Sequence, residues 1–378
     1  MTPKTKWMLA SATVIVAVAV VFLGRGNAGS RATPSSEPAA DSLLNIPLEG
    51  TVAARQEFVQ AYRRGDARHA LALYEQYLPR IGANGLREAI KSVYPNCHDE
   101  AHDLGKAIFA RLRDVGASLE SCADACASGC MHGVLMQLFT DTTSAVAADG
   151  AHQHSGQLTA ADVAAQIPTF CERPAMTRMY SPGDCAHGVG HAAMFLASYD
   201  IPAGIDLCEN FPSHALRYYC ATGAYMEYRG SRRARADYPT RGAFFPCDAA
   251  RYPAACFRYV MTNTIRWHYA KKGTLEGLEE QCASLSGKYR LGCFHGIGNA
   301  HVGRLGRGAV TLAAVCGYGT RDDQTACVEG AMERLGKFTP TIAIERWEAL
   351  TDWRRGVCET AAKRKMYDMT KSFAMYPR

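Results

Sequence analysis

The sequence predicts an all-α protein of repeated helical hairpins, forming an α-solenoid or a closed α/α toroid and stapled by disulfides within each repeat. Apolar residues recur every three or four positions in stretches such as ARQEFVQAYRRGDARHALALYEQYLPRI, the spacing of amphipathic helices. Alternating β-branched runs, which would predict strands, are nearly absent. Cysteines recur at an interval that suits helical hairpins.

The N-terminus carries an export segment. Lys4 and Lys6 precede 18 apolar or small residues from 7 to 24, and Arg25 follows. Since about 18–20 apolar residues cross a bilayer, we expect residues 1–24 to be a single-pass inner-membrane anchor, with the main domain periplasmic or otherwise extracytoplasmic. A cleaved signal segment is the alternative, because Gly26 and Ala28 could form a cleavage site.

The remaining chain divides into a tether and one large domain. Residues 25–47 are rich in Ala, Ser and Pro and predict a flexible tether, and residues 48–378 predict the exported, all-α, Cys/His-rich repeat domain. The net charge of +6 comes from 42 basic against 36 acidic residues spread along the chain. Such a diffuse excess does not suit phosphate binding, so nucleic acid is not an expected partner.

Six cysteines mark the repeats, since each begins a similar stretch and five of the six have glycine three residues later. They are Cys130, Cys185, Cys220, Cys256, Cys293 and Cys327, separated by 55, 35, 36, 37 and 34 residues. An earlier partner precedes five of them, giving Cys171 with Cys185, Cys208 with Cys220, Cys247 with Cys256, Cys282 with Cys293 and Cys316 with Cys327. We expect the first cysteine to close one helix, the second to open the next, and a disulfide to stabilise the turn by about 2–3 kcal/mol.

Five cysteines lie outside these pairs. By analogy Cys122 pairs with Cys130, which leaves Cys97, Cys126 and Cys358 for one further bridge and one free thiol. A thiolate metal site in CADACASGC is the alternative, although it lacks the usual two-residue spacing.

The period and the cysteine placement, from about Cys122 to Cys358, resemble those of tetratricopeptide-like arrays, specifically secreted helical-repeat proteins with disulfide-clamped hairpins. This resemblance implies a fold and no activity. The HGVGH and HGIGN stretches are similar to turns in lanthionine-cyclase toroids, whose zinc is held by two cysteines and a histidine. The matching cysteines are expected in disulfides here, so this likeness implies at most a toroidal shape.

Histidines carry the chemistry, because seven of the twelve lie in the cysteine-linked motifs CHDEAHDLGK, CMHGV, CAHGVGH and CFHGIGNAH. Histidines four apart share one helix face, so we expect a transition-metal site for Zn, Cu or Fe. His187 and His191 form its predicted centre, His98 and His102 complete it, and His132 and His295 support it. The carboxylates expected to orient rings or to serve as further ligands are Asp99, Asp103, Glu227 and Glu333.

Two other interpretations of the histidines stand beside the metal site, and two methionines bear on which metal would bind. The histidines could be packing residues, and the protein a non-enzymatic scaffold whose repeats bind a protein or peptide. A zinc-protease motif is disfavoured, because Asp99 stands where the glutamate should follow the first histidine. Met136 and Met226 would favour copper if they face inwards. The sequence assigns no catalytic residue.

Overall fold

The part of the chain described by a computed structural model is built from helices. The structure describes residues 46–65, 70–94, 97–123, 126–147, 160–238, 240–272 and 277–363. These ranges contain no strand, so the predicted all-α class is confirmed. The predicted anchor and nearly all of the tether lie outside them, and no helix within them has the length and apolarity needed to cross a bilayer.

Most of the described α-helices follow one another with six or fewer residues between them. In chain order they are α1 Val52–Arg64, α2 Ala70–Val93, α3 His98–Leu112, α4 Val115–Cys122, α5 Gly129–Ala147, α6 Ala160–Phe170, α7 Pro174–Thr177, α8 Pro182–Leu196, α9 Ile201–Cys208, α10 His214–Gly230, α11 Arg232–Asp237, α12 Pro253–Lys272, α13 Leu278–Ser284, α14 Gly287–Ala300, α15 Val302–Gly306, α16 Leu312–Val315, α17 Arg321–Phe338, α18 Pro340–Glu348 and α19 Arg354–Lys363. Short 3-10 turns lie at Glu49–Thr51 and Cys247–Ala249.

Long helices form the core, and each contacts the next long helix along the chain. The series runs through α2, α3, α5, α8, α10, α12, α14, α17 and α19. Small and aromatic side chains fill the contacts, with Tyr74, Tyr218 and Phe257 at most 1% exposed. Burying such rings supplies much of the apolar stabilisation of the fold.

Seven disulfides within the described ranges join the short connecting segments to the long helices. All five pairs predicted from the repeat are bonded, as is Cys122 with Cys130. The seventh bond joins Cys97 to Cys126, which leaves Cys358 as a buried free thiol.

In the five pairs predicted from the repeat, the second cysteine lies inside its helix rather than at its start, which differs from the sequence expectation. Cap residues set the starts: Ser181 and Ser213 accept hydrogen bonds from backbone N–H groups three residues later, and Thr320 forms a capping box. These caps lie four residues before Cys185 and seven before Cys220. The helices therefore begin about one or two turns earlier than the cysteines indicate.

Two glycines allow neighbouring long helices to touch backbone to backbone. A Cβ atom at Gly133 of α5 would lie 1.9 Å from the carbonyl oxygen of His102, and one at Gly223 of α10 would lie 1.8 Å from that of His187. Neither distance is possible for a real side chain, so glycine is required at both crossings. The first crossing joins α3 to α5 and the second joins α8 to α10, while α5 and α8 are also in contact.

Candidate metal centre

Five histidines gather where α3, α5 and α8 meet. His98 and His102 lie one turn apart on α3, His187 and His191 lie one turn apart on α8, and His132 lies on α5 between them. Neighbouring ring centroids are 4.9–6.3 Å apart. Four of the rings are at most 9% exposed, and His187 is half-buried. We call these five residues the histidine cluster.

The ring of His98 is held from its outer side by two backbone carbonyls. Its Nδ1 donates to the oxygens of Cys126 and Ala127, at 3.1 and 3.0 Å. Carbonyl oxygens only accept hydrogen bonds, so Nδ1 carries the proton and Nε2 carries the lone pair. The Nε2 atom is buried and has no hydrogen-bond partner in the described part of the chain.

The rings of His187 and His191 are held in the same way by α10. His187 Nδ1 lies 2.7 Å from the Thr222 hydroxyl oxygen, and that hydroxyl donates its own proton to the Tyr219 carbonyl. Thr222 must therefore accept from His187. His191 Nδ1 donates to the Glu227 carboxylate, with 3.0 Å between nitrogen and Oε2. Both rings thus carry their lone pair on Nε2.

Four ring nitrogens lie close enough together to be candidate ligands of one ion. One nitrogen from each of His98, His132, His187 and His191 lies within 4.8 Å of the other three. The Nε2 atoms of His187 and His191 are 3.2 Å apart, a distance at which two lone pairs repel. Two ligands about 2.0 Å from a tetrahedral ion lie about 3.3 Å apart, so a cation bound between the two nitrogens would account for the approach.

Buried nitrogens without partners indicate the same kind of ligand. Both nitrogens of His132 and the Nε2 atoms of His98 and His102 are buried with no hydrogen-bond partner among the described residues. Each such group costs about 1–3 kcal/mol when nothing satisfies it. Metal coordination would satisfy one such nitrogen on each ring that binds an ion.

The protonation states suit metal ligands. Burial lowers the pKa of His98 to about 4, with a further contribution from the charge of His191. Burial likewise holds the pKa values of His102 and His132 well below the usual range. Burial would raise the pKa of Glu227, but the hydrogen bonds from His191 and Tyr199, together with the nearby positive charge of Lys106, outweigh burial and lower that pKa. Neutral imidazoles beside an ionised carboxylate are ligands that zinc, copper and iron all accept.

A second group of ligand atoms overlaps the first. One ligand atom from each of His102, His191 and Glu227 lies within 4.8 Å of the other two. The other carboxylate oxygen of Glu227 accepts a hydrogen bond of 3.1 Å from the Tyr199 hydroxyl. Tyr199 also lines a cavity of about 620 Å³, within the usual range for small-molecule sites.

The predicted carboxylates have different surroundings. Glu227 orients His191, as expected of a carboxylate beside a metal ligand. Asp103 instead pairs with Lys106 at 3.0 Å, and Asp99 is exposed. The structure therefore places one of the four predicted carboxylates, Glu227, in hydrogen-bond contact with a ring of the histidine cluster.

His295 lies in a separate buried group. Its Nε2 is 3.3 Å from a Glu333 carboxylate oxygen, and Arg258 lies 4.0 Å from the same oxygen. Among the described residues, neither group that could hold a metal contains His295 or Glu333. The structure thus brings together five of the six predicted ligands and separates the sixth.

The surroundings of His295 explain this separation. His295 follows its cysteine by two residues, as His187 does, but four residues further on Asn299 replaces His191. Arg334 likewise stands where α10 has Glu227, and its guanidinium donates to the Asn299 side-chain oxygen at 2.9 Å. A guanidinium is always charged and cannot bind a metal, so this pair of helices lacks the donor set of α8 and α10.

Sequence reasoning missed Thr222 and the carbonyls of Cys126 and Ala127 as ring supports. Thr222 was detectable, because it follows Cys220 by two residues, the position that His187 holds after its own cysteine. The carbonyls carry no signal of residue type. They point at His98 because residues 126–128 all have positive φ, between 49° and 64°, and the Cys97–Cys126 disulfide fastens this turn next to the ring.

Comparisons of the chain with protein-family models, curated proteins and solved structures find no match. The function is therefore inferred from the geometry of the site itself.

Proposed function

We propose that this protein is an exported metalloprotein that binds a first-row transition-metal ion through His98, His132, His187 and His191. One observation carries the proposal. Three of these rings have their Nδ1 atoms bonded to groups outside the site, so their Nε2 lone pairs are left for one shared ligand. Imidazole donors suit zinc, copper and iron.

The cellular location is part of the same proposal. Seven disulfides indicate an oxidising, extracytoplasmic compartment, since such bonds rarely persist in a reducing cytosol. We further propose that residues 1–24 anchor the chain in the inner membrane and that the helical domain lies in the periplasm. The apolar run flanked by Lys4, Lys6 and Arg25 supports this orientation.

We also propose that the helices form an array of repeated pairs. In support, α8 meets α10 and α14 meets α17 through the same contact. A Cβ atom at Gly223 would lie 1.8 Å from the His187 carbonyl oxygen, and one at Gly330 would lie 2.1 Å from that of His295. Equivalent glycines at equivalent crossings are expected of a duplicated unit. Only some of these helix pairs would then carry metal-binding residues.

Metal analysis of protein purified from an oxidising compartment tests the main proposal. We expect the wild type to hold at least one equivalent of zinc, copper or iron, and the H187A/H191A double variant to hold none. His301→Ala is the matched control, because His301 is buried but bonds to the carbonyl of Ile297 in its own helix. Circular dichroism and the disulfide pattern should be unchanged in both variants. A wild type that stays metal-free after incubation with each ion would overturn the proposal.

A metal-dependent enzyme is the second candidate, and the cavity beside Tyr199 favours it. Four imidazoles complete a tetrahedral zinc site, whereas a copper or iron ion would have a further position for a substrate. Azide added to the copper-loaded protein distinguishes these cases. A shift in the visible spectrum would show an open position and support catalysis, and an unchanged spectrum would contradict it.

A further inference from the structure

The proposed site of four histidines gives no role to His102, the fifth residue of the histidine cluster. Its ring lies 4.9 Å from those of His98 and His191, and it is only 8% exposed. Its Nε2 atom is buried without a hydrogen-bond partner in the described part of the chain. A buried polar nitrogen in this state calls for a ligand of its own.

His191 faces both groups of ligands. Its Nε2 is 3.2 Å from His187 Nε2 in the four-histidine group. Its Nδ1 is 3.0 Å from the Glu227 carboxylate, which belongs to the second group together with His102. The two nitrogens of an imidazole point in different directions, so one ring can bind two ions.

We infer that the histidine cluster holds two metal ions, the second bound by His102, Glu227 and Nδ1 of His191. The inference rests on the proposed function, because the first ion is the one held by the four histidines. Three protein ligands leave a tetrahedral ion with one vacant position, the pattern of catalytic rather than structural sites. Glu227 also accepts a hydrogen bond from Tyr199, which lines the cavity, so one hydrogen bond links the second group of ligands to a cavity residue.

The proton balance is simple. In the structure Nδ1 of His191 carries a proton that it donates to Glu227. Binding of the second divalent ion breaks this N–H bond, forms a metal–nitrogen bond with the remaining electron pair, and releases the proton to solvent. The second ion then faces two negative groups, the Glu227 carboxylate and the bridging imidazolate.

A nearby cation does not oppose the second ion strongly. Lys106 lies close enough to influence the charge state of both His102 and Glu227. Its ammonium group pairs with the Asp103 carboxylate at 3.0 Å, which offsets its charge. The second group therefore keeps the negative charge that Glu227 supplies.

Zinc titration of the full chain tests the inference. We expect two zinc ions per wild-type chain, and one per chain in the His102→Gln and Glu227→Gln variants. Glutamine at position 227 keeps one oxygen that accepts from His191, and its NH2 group can donate to the Tyr199 hydroxyl oxygen, so this variant should fold even if the other does not. His301→Gln is the control and should bind two ions. Native mass spectrometry counts the ions directly.

The number of bound ions shows whether the proposed function, the second metal site, or both are wrong. No bound zinc, copper or iron in the wild type overturns both. One ion in the wild type, and one in Glu227→Gln, overturns the second site and leaves the proposed function standing. Two ions in both variants, or none in His102→Gln that still folds, would mean that His102 and Glu227 are wrongly assigned.

Copper gives an independent signature. Two Cu²⁺ ions bridged by an imidazolate couple magnetically, so we expect the wild type to show a weaker electron paramagnetic resonance signal per copper than His102→Gln. Equal signals per copper from the two proteins, each fully loaded, would contradict the bridge.

Discussion

Each oriented ring in the histidine cluster is fixed by a bond on the side facing away from the site. The bonding group differs from ring to ring: paired carbonyls for His98, a hydroxyl for His187 and a carboxylate for His191. All three leave the same nitrogen facing inwards. Such bonds fix both the tautomer and the orientation of a ligand before any ion arrives.

Replacing Thr222 by Val tests this orientation at one residue. Valine keeps the shape of threonine but cannot accept from His187 Nδ1, so the ring loses both its fixed tautomer and its position. We expect metal affinity to fall by about 10–100-fold. Thr264→Val is the control, because Thr264 donates to the Ala243 carbonyl in another part of the protein. Isothermal titration with zinc measures both, and equal affinities would show that the Thr222 hydroxyl does not orient the ligand.

Asp323 provides a prediction about pH. Burial alone would raise its pKa, but bonds from Arg290 and Thr320 outweigh burial and hold the pKa below its ordinary 3.8. A depressed folded-state pKa stabilises the protein above the unfolded value, and the contribution is lost as the pH falls through the folded value. We expect Asp323→Asn to cost about 2 kcal/mol at pH 7 and progressively less below about pH 4. Urea unfolding across this range measures it, and a pH-independent difference would contradict the assignment.

Much of the site was predictable at the residue scale, for a chemical reason. Histidine pairs four apart, such as His98 with His102 and His187 with His191, identify a shared face on each helix from their spacing alone. The sequence does not contain the distance between helices, so it did not distinguish His132, which joins the cluster, from His295, which does not. That distinction depends on residues such as Arg334, whose charge excludes a metal.

At the scale of the helices, the crossings of α3 with α5 and of α8 with α10 position the ligands. Both depend on glycines that allow backbone contact, at Gly133 and Gly223. The sequence shows these glycines three residues after Cys130 and Cys220, and a helix opening at each cysteine would place them in the first helical turn. They lie deeper, because polar caps such as Ser213 start the helices earlier than the cysteines do.

Adding one methyl group at Gly223 of α10 tests the contact between α8 and α10. In Gly223→Ala the new Cβ atom would meet the His187 carbonyl, so α8 and α10 must separate, at a cost of about 1–3 kcal/mol or more. We expect weaker metal binding as well, since His187 and Thr222 move apart. Gly230→Ala is a matched control in the same helix, where nothing lies within 4 Å of the added atom. Thermal unfolding and zinc titration of both variants check this, and an equally small effect in the two would refute the role of the crossing.

For the whole molecule, the apolar spacing predicted the all-α class, and the cysteine period predicted six disulfides because the two cysteines of each lie close together in the sequence. Cys208 and Cys220, for example, are only 12 residues apart and join α9 to α10. The sequence does not decide whether the proposed array of helix pairs would be a solenoid or a toroid. The curvature of such an array would accumulate from a small rotation at each pair, and a sequence period does not encode that rotation.

The central claim is that imidazole nitrogens alone, together with at most one carboxylate, hold the metal. X-ray absorption of the zinc-loaded protein tests this most directly, because nitrogen and sulfur ligands differ in distance. We predict a first shell of nitrogen or oxygen at about 2.0–2.1 Å with imidazole scattering beyond it. A sulfur shell at about 2.3 Å would mean that cysteine binds the ion, and the absence of imidazole scattering would mean that the histidine cluster does not.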